Sequence, residues 1–314
     1  MKFLFISPRY SGGIGGHASM LGYKLTELGH EVDYMKIPHI PIKNLKNPSF
    51  TLLSIFKGIF SENYDIVHAF NVPSVFAMKI AKGKKRVLSV HGVFSDQIKS
   101  LHSKNLGFFS EKIESSVLKW PDALTTDSQF TQKMYKQKLD LDLFYLPSPI
   151  DTSKLDAIEN VKKIDGQISY IGRDSYEKGI DIIRNLEHKF NGKVVYSTNL
   201  PWKDAMKNLK ASNVLILPSR IESSPTSIKE AFYLKIPVVA TNVGGVSELV
   251  KNGITGILVP SDNFEKIVTS VNHLLENKEK SNQFINSAYN FIIKNFTWDV
   301  ILPKYIKFYK ELLN

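Results

Sequence analysis

The feature that most constrains this chain is an alternation, and it occurs twice. Short apolar runs, KFLFIS (2–7), EVDYMKI (31–37), YDIVHAF (64–70), RVLSVHG (86–92), DALTTDS (122–128) and LFYLPSP (143–149), are separated by amphipathic stretches such as HASMLGYKLTELGH. The runs are rich in β-branched and aromatic residues and are nearly continuous in hydrophobicity, which predicts strands buried on both faces. Strands of that kind divided by helices predict a parallel sheet with helices on each side. Gly29 stands where the first helix should end. Pro147 and Pro149 then break the pattern, and a polar stretch follows to residue 166. The alternation restarts with GQISYIGR, KVVYST, NVLILPS, PVVAT and GILVP, and three helical patterns close the chain near 263–278, 281–295 and 298–313. Two α/β domains are expected, residues 1–150 and 151–298, with no sequence repeat between them.

A chain of 314 residues can bury two cores of this size. Its 43% hydrophobic and 23% charged residues argue against disorder. With no cysteine there is neither a disulfide framework nor a thiolate metal site, which suits a cytoplasmic protein. The histidines His17, His30, His39, His68, His102, His188 and His273 show no metal-ligand spacing. No segment has the length and apolarity of a membrane span or a signal-peptide core. The net charge of +11 favours anionic partners: nucleic acid, acidic lipid or phosphorylated small molecules. Residues 1–150 carry 19 Lys and Arg against 12 Asp and Glu, so the basic excess is greater there. The lysines are dispersed and no aromatic-basic motif accompanies them, so no nucleic-acid partner is expected.

Four stretches carry chemistry. In PSRIESSPTSIKEAF (218–232), a strand ends at Pro218 and a helix follows, with Ser224 as the expected N-cap and Pro225 at the first helical position. The first turn, with Thr226 and Ser227, offers unpaired N–H groups and about half a positive charge to a phosphate. Glu222 precedes that helix and Glu230 lies inside it, both of them acceptors suited to hydroxylated ligands. Taken alone they read equally well as a dipole-compensating acid and a solvated one. In YIGRDSYEKG (170–179), Arg173 and Lys178 follow a strand's carboxyl end, where α/β sheets bind ligands, and they suit a diphosphate. In SPRYSGGIGGHASML, a first strand leads into a glycine-rich loop, where Gly12, Gly13, Gly15 and Gly16 allow close backbone approach. It is neither a dinucleotide fingerprint nor a Walker loop. In VLSVHGVF, His91 ends a central strand.

In their order along the chain these motifs resemble glycosyltransferase family 4: the Gly-Gly loop, LTELGHEV, the mid-domain His-Gly, GRDSYEKG, the E-x7-E pair, VGGVSELV, GILVP and the terminal FTWDVILPKYIKFYKELL. The resemblance implies the GT-B fold, two Rossmann-like parallel-sheet domains facing across a cleft, with a last helix (about 299–314) returning to the N-terminal domain. It implies a retaining transferase that moves a hexose-type sugar from a UDP- or GDP-sugar to a glycan, lipid-linked or small-molecule acceptor. Arg173 and Lys178 would hold the diphosphate with the N–H groups of Thr226 and Ser227. Glu230 would accept from the ribose, and Glu222 with Gly244 and Gly245 would face the transferred sugar. His91 would touch that sugar, and Gly12, Gly13 and Gly16 would close over the phosphates. No cofactor and no metal are expected beyond the nucleotide-sugar co-substrate, because two cations and a helix mouth can stabilise the leaving diphosphate. Two departures stand out. Pro225 occupies a position where the family commonly has glycine, and the stretch from KVVYST to NVLILPS, which normally helps grip the base, is short.

The acceptor belongs to the N-terminal domain in this family. IKNLKNPSFTLLSIFKGIF (42–60) and DQIKSLHSKNLGFFSEKIESSVLKWPD (96–122) mix lysine with large apolar residues. They read either as core-facing helices with snorkelling lysines or as a surface resting on anionic lipid at the inner face of a membrane. A sugar phosphorylase and a nucleotide-sugar epimerase share the expected fold and are the alternative reactions. A basic nucleic-acid-binding protein is the more distant alternative.

Overall fold

The computed structural model describes residues 1–8, 13–37, 49, 52–53, 55–56, 59, 61–92 and 113–314. Gly12, His39, His102 and most of the two lysine-rich apolar stretches lie outside the described residues. The chain forms two compact units, residues 1–148 with 301–314, and residues 149–300.

The first unit is built on a six-stranded sheet in the order β2-β1-β3-β4-β5-β6. Its strands are β1 Lys2–Pro8, β2 Glu31–Ile37, β3 Tyr64–Ala69, β4 Gly83–Val90, β5 Ala123–Thr126 and β6 Phe144–Tyr145. Every pairing is parallel. Phe3, Leu4, Phe5 and Ile6 are all buried, so the absence of polar alternation in β1 reflects helices on both faces. On one face Leu4, Ile6, Val67, Leu88 and Leu124 join an aliphatic core. Phe3 and Phe5 instead meet aromatic rings, with Phe3 5.0 Å from Tyr309 and Phe5 5.0 Å from Phe70. Only two residues of the LFYLPSP run pair as β6, because the prolines remove N–H donors beyond it.

Helix α1 spans Gly13–Glu27. It ends in a Schellman motif, in which the His30 N–H donates to the Leu25 carbonyl and the Gly29 N–H to that of Thr26. Its beginning corrects the expected glycine loop: Gly15 and Gly16 lie within the helix, and only Gly13, with φ of 50°, marks the entry. Burial of Ala18, Leu21 and Leu25 on one face outweighs the low helix propensity of the helix's four glycines. Helices α2 (Val75–Ile80) and α3 (Gln129–Leu139) follow β3 and β5. The Ser128 hydroxyl caps α3 by accepting from the Thr131 N–H.

The second unit holds a five-stranded parallel sheet in the order β11-β10-β9-β7-β8. The strands are β7 Gln167–Ile171, β8 Lys193–Ser197, β9 Val214–Leu217, β10 Val238–Thr241 and β11 Ile257–Val259. The connecting helices are α4 Thr152–Asp156, α5 Ile180–Leu186, α6 Trp202–Ala211, α7 Thr226–Tyr233 and α8 Val246–Leu249. α9 Glu265–Glu276 and α10 Lys278–Asn295 follow. α11, Trp298–Leu313, begins in this unit and enters the first from Ile301 onward. Strand order reverses between β7 and β9, so the loops after these two strands open the crevice where doubly wound sheets bind ligands.

Candidate active site

In the second unit the reversal brings together two loops that are far apart in sequence. The loop after β7 carries Arg173 and a single 3₁₀ turn, Tyr176–Lys178. The loop after β9 carries Ser219, Arg220 and Glu222. Lys178 Nζ donates to Glu222 Oε1 at 2.7 Å, and the Ser219 hydroxyl donates to the same oxygen at 2.7 Å. The close approach has a backbone cause. Gly179 adopts φ of 68°, and a Cβ there would stand 2.1 Å from the Pro218 carbonyl oxygen. Any other residue would push the start of α5 off the end of β9. Gly244 does the same for the third loop: its φ is 53°, and a Cβ would overlap the Glu222 carbonyl oxygen at 1.8 Å. Gly245 then caps α8.

The cations do not stand as a bare clamp. Arg173 pairs with Glu177, and Lys178 with Glu222, whose side chain is only 6% exposed. Glu222, expected to face a sugar, has its carboxylate Oε1 on Lys178 and Ser219. An ammonium group has three N–H donors, and the bond to Glu222 uses one of them. The Arg173 side chain is 69% exposed, whereas that of its partner Glu177 is only 11% exposed. Arg220 braces the cluster. Its guanidinium makes a two-pronged pair with Asp181, with both bonds at 2.8 Å, and covers the Tyr176 ring at 3.8 Å.

Helix α7 starts one residue later than expected. Pro225 occupies the N-cap position with no side-chain cap, and Thr226 is the first helical residue. Proline fixes φ at −64° while ψ is 118°, so the chain turns into the helix at this residue rather than at Ser224. The amides of Thr226, Ser227 and Ile228 therefore begin the helix with no side-chain cap from residue 225. One turn on, Glu230 is half-buried and its Oε1 accepts from the Trp202 indole N–H at 2.7 Å. Burial pushes its carboxyl above the ordinary range, while the Trp202 hydrogen bond and the Lys229 charge pull the other way. Lys229 itself is fully buried, with Nζ 5.1 Å from the Phe296 ring centroid.

In the first unit His91 follows β4. Its Nδ1 lies 2.9 Å from Asp127 Oδ2, both side chains being almost buried. Strand register explains the pair. Val90 stands opposite Thr126 in the β4–β5 ladder, so the next residues, His91 and Asp127, emerge side by side. Gly13 and Gly16 lie at the start of α1, whereas Gly12 is outside the described residues. Sequence reasoning missed Asp127, Trp202, Ser219 and Glu177. Only Asp127 left a usable signal, TTD ending one predicted strand beside VH ending another. Among the described residues no group of three or more His, Asp or Glu could hold a metal ion.

Two parallel Rossmann-like sheets of this order, with a Lys-Glu pair and an open helix mouth at one switch point, define the class of GT-B glycosyltransferase folds. Residues 11–154 match the family model described as glycosyltransferase family 4, and residues 183–291 that of glycosyl transferases group 1. An uncharacterised glycosyltransferase of Methanocaldococcus jannaschii is 23% identical over 96% of this chain and 95% of its own length. Among solved structures, sucrose-phosphate synthase of Thermosynechococcus elongatus superposes with a TM-score of 0.82 at 14% identity, covering 99% and 98% of the two chains. HepE of Anabaena, solved with UDP, gives 0.73 at 15% identity, covering 99% and 100%. The chain is a GT4-type glycosyltransferase.

Proposed function

We propose that this glycosyltransferase moves a hexose-type sugar from a nucleoside-diphosphate sugar to a carbohydrate or lipid-linked acceptor, with retention of configuration and without a metal. One observation carries the reading: Lys178 and Glu222 meet at the switch point of the second sheet, beside loops that glycine alone can hold this close. The diphosphate takes Arg173, Lys178 and the amides of Thr226 and Ser227. The ribose takes Glu230. The sugar takes Glu222 and the Gly244-Gly245 loop. In the front-face step the bond from the sugar's anomeric carbon to the diphosphate oxygen breaks as the acceptor oxygen bonds to the same face. The acceptor proton passes to a phosphate oxygen of the leaving diphosphate, and the two cations balance its charge. Solved GT-B relatives bound to UDP and to UDP-glucose support a nucleotide-sugar donor.

The test is release of nucleoside diphosphate from UDP- and GDP-sugars, with and without chelator, and the anomeric configuration of the product by NMR. Arg173→Ala and Glu230→Ala should each abolish turnover in a folded protein, and full activity in both sinks the site. Consumption of free phosphate would instead mark a phosphorylase, and acceptor-independent conversion of the donor an epimerase.

The same proposal includes an anionic membrane surface as the place of the acceptor. Among the described residues no helix is long and apolar enough to cross a membrane. Leu52, Leu53, Phe56 and Ile59 are nonetheless exposed helical residues at three- and four-residue spacing, within a stretch that also holds Lys43, Lys46 and Lys57. An amphipathic face of that composition suits the interface of an anionic bilayer. Sedimentation with anionic and neutral vesicles decides it, because equal pelleting in both rules out the electrostatic attraction.

A further inference from the structure

The short connection between β8 and α6 has a residue at its end that the donor reading leaves unused. β8 stops at Ser197, and the chain turns through Asn199, a non-glycine residue with φ of 56°. Pro201 then caps α6, and Trp202 is its first residue. Trp202 is 39% exposed. Of the other two tryptophans, Trp120 packs edge-on against Phe76 and Trp298 is buried. A half-bare indole forgoes much of the benefit of burying a large ring. Its single polar atom is committed, since Nε1–H donates to Glu230 Oε1 at 2.7 Å.

That bond sets a distance. It occupies one oxygen of Glu230 and steadies the carboxylate, leaving the second oxygen for the ribose hydroxyls. A ribose held on that second oxygen would lie one carboxylate's width from the indole, with the base joined to the next carbon of its ring. From this juxtaposition we infer that Trp202 is the platform on which the nucleotide base stacks. Trp202 also orients Glu230 for the ribose. The inference rests on the nucleotide-sugar reading above and names the group that recognises the nucleoside. Every base has a π-face, so a platform of this kind takes purine and pyrimidine nucleotides alike, with discrimination left to stacking strength. It also accounts for how a connection this short can grip a base without further strands.

The experiment titrates UDP, GDP and ADP, and in parallel inorganic pyrophosphate, into the full chain and its Trp202→Phe and Trp202→Ala variants. Binding is read by melting temperature and by tryptophan emission. The expected result is quenching of wild-type emission by all three nucleotides, absent in Trp202→Phe although that variant still binds within a few-fold. Trp202→Ala should bind nucleotides about tenfold more weakly, the low end of what a lost stack removes, with pyrophosphate binding unchanged. Nucleotide affinity equal to wild type in Trp202→Ala, or equal losses for nucleotides and pyrophosphate, overturns the platform while leaving the donor reading intact. A wild-type chain that binds none of the nucleotides overturns both.

Discussion

The two units share one plan, a parallel sheet whose order reverses once, yet they place their polar groups differently. In the first unit they run through the interior. His68 is fully buried, its Nδ1 2.7 Å from the Tyr309 hydroxyl and its Nε2 2.7 Å from Ser89 Oγ, which in turn lies 2.6 Å from Thr125 Oγ1. His68 also stacks on Phe70 at 4.1 Å. His17 Nε2 lies 3.0 Å from the Tyr305 hydroxyl, which donates to the Leu146 carbonyl at 3.2 Å. Both tyrosines come from α11. In the second unit Lys178, Glu222, Arg220 and Asp181 gather instead in two ion pairs beyond the carboxyl ends of β7 and β9. Burial moves titration in both places, but to different ends. It holds His68 well below its ordinary range, with the charges of His17 and His91 adding to the effect, so the ring is neutral and serves as architecture. It lifts the Glu230 carboxyl above its ordinary range, against the pull of the Trp202 hydrogen bond and the Lys229 charge. Interior polar groups specify where a helix docks, whereas those at the strand ends are the ones proposed to hold a ligand.

Substitutions on either side should break that contrast or sharpen it. Lys178→Gln keeps a donor for Glu222 but removes the charge proposed to face the diphosphate. Turnover should fall about 10²–10³-fold, roughly 3–4 kcal/mol of transition-state stabilisation, with the unfolding midpoint nearly unchanged; steady-state kinetics and urea titration read both. His68→Ala should do the reverse. It strands the Tyr309 hydroxyl in the core, leaves Ser89 with Thr125 alone and opens a cavity, and should cost about 3 kcal/mol of stability while activity per folded molecule survives. Loss of activity without loss of stability would move His68 from architecture to the site. The pH dependence of stability tests the same ring more gently. The unfolded chain protonates His68 near pH 6.5 and the native chain does not. Stability should therefore fall as pH drops below that value, by at most about 1.4 kcal/mol per unit, and the slope should lessen in His68→Gln. Tyr309→Phe removes one hydroxyl and should cost about 1 kcal/mol. The smallest effect is on the other side. Because the Glu230 carboxyl is raised, nucleotide binding should start to weaken at a higher pH on acidification than an ordinary carboxylate allows. Glu230→Gln should flatten that decline.

The strands were legible because burial on both faces writes itself as continuous apolar runs, and the end of α1 because Gly29 is placed for a Schellman turn. The start of α1 was not. Propensity argues for a loop through Gly13–Gly16, but side chains one turn further on anchor the helix and carry it back through the glycines. Ser224 failed as a cap for a similarly local reason, since proline at the next position settles where the chain bends. The cluster at the second sheet was legible as separate residues and illegible as partners. Glu222 could be named from the motif, but not that Lys178, 44 positions earlier, would take its oxygen. Trp202 with Glu230 and His68 with Tyr309 are pairings across 28 and 241 positions, and nothing local encodes either. Only His91 with Asp127 was within reach, because neighbouring strands that end together present their next residues together.

Helix α11 starts among residues of one unit and finishes among those of the other, so the first unit is not a continuous stretch of polypeptide. During synthesis the pocket awaiting Tyr305 and Tyr309 stays open until α11 has emerged, with His17 and His68 missing their phenol partners until then. A gene cut after residue 148 would leave them so permanently, and supplying 298–314 as a separate peptide is the simplest repair to attempt.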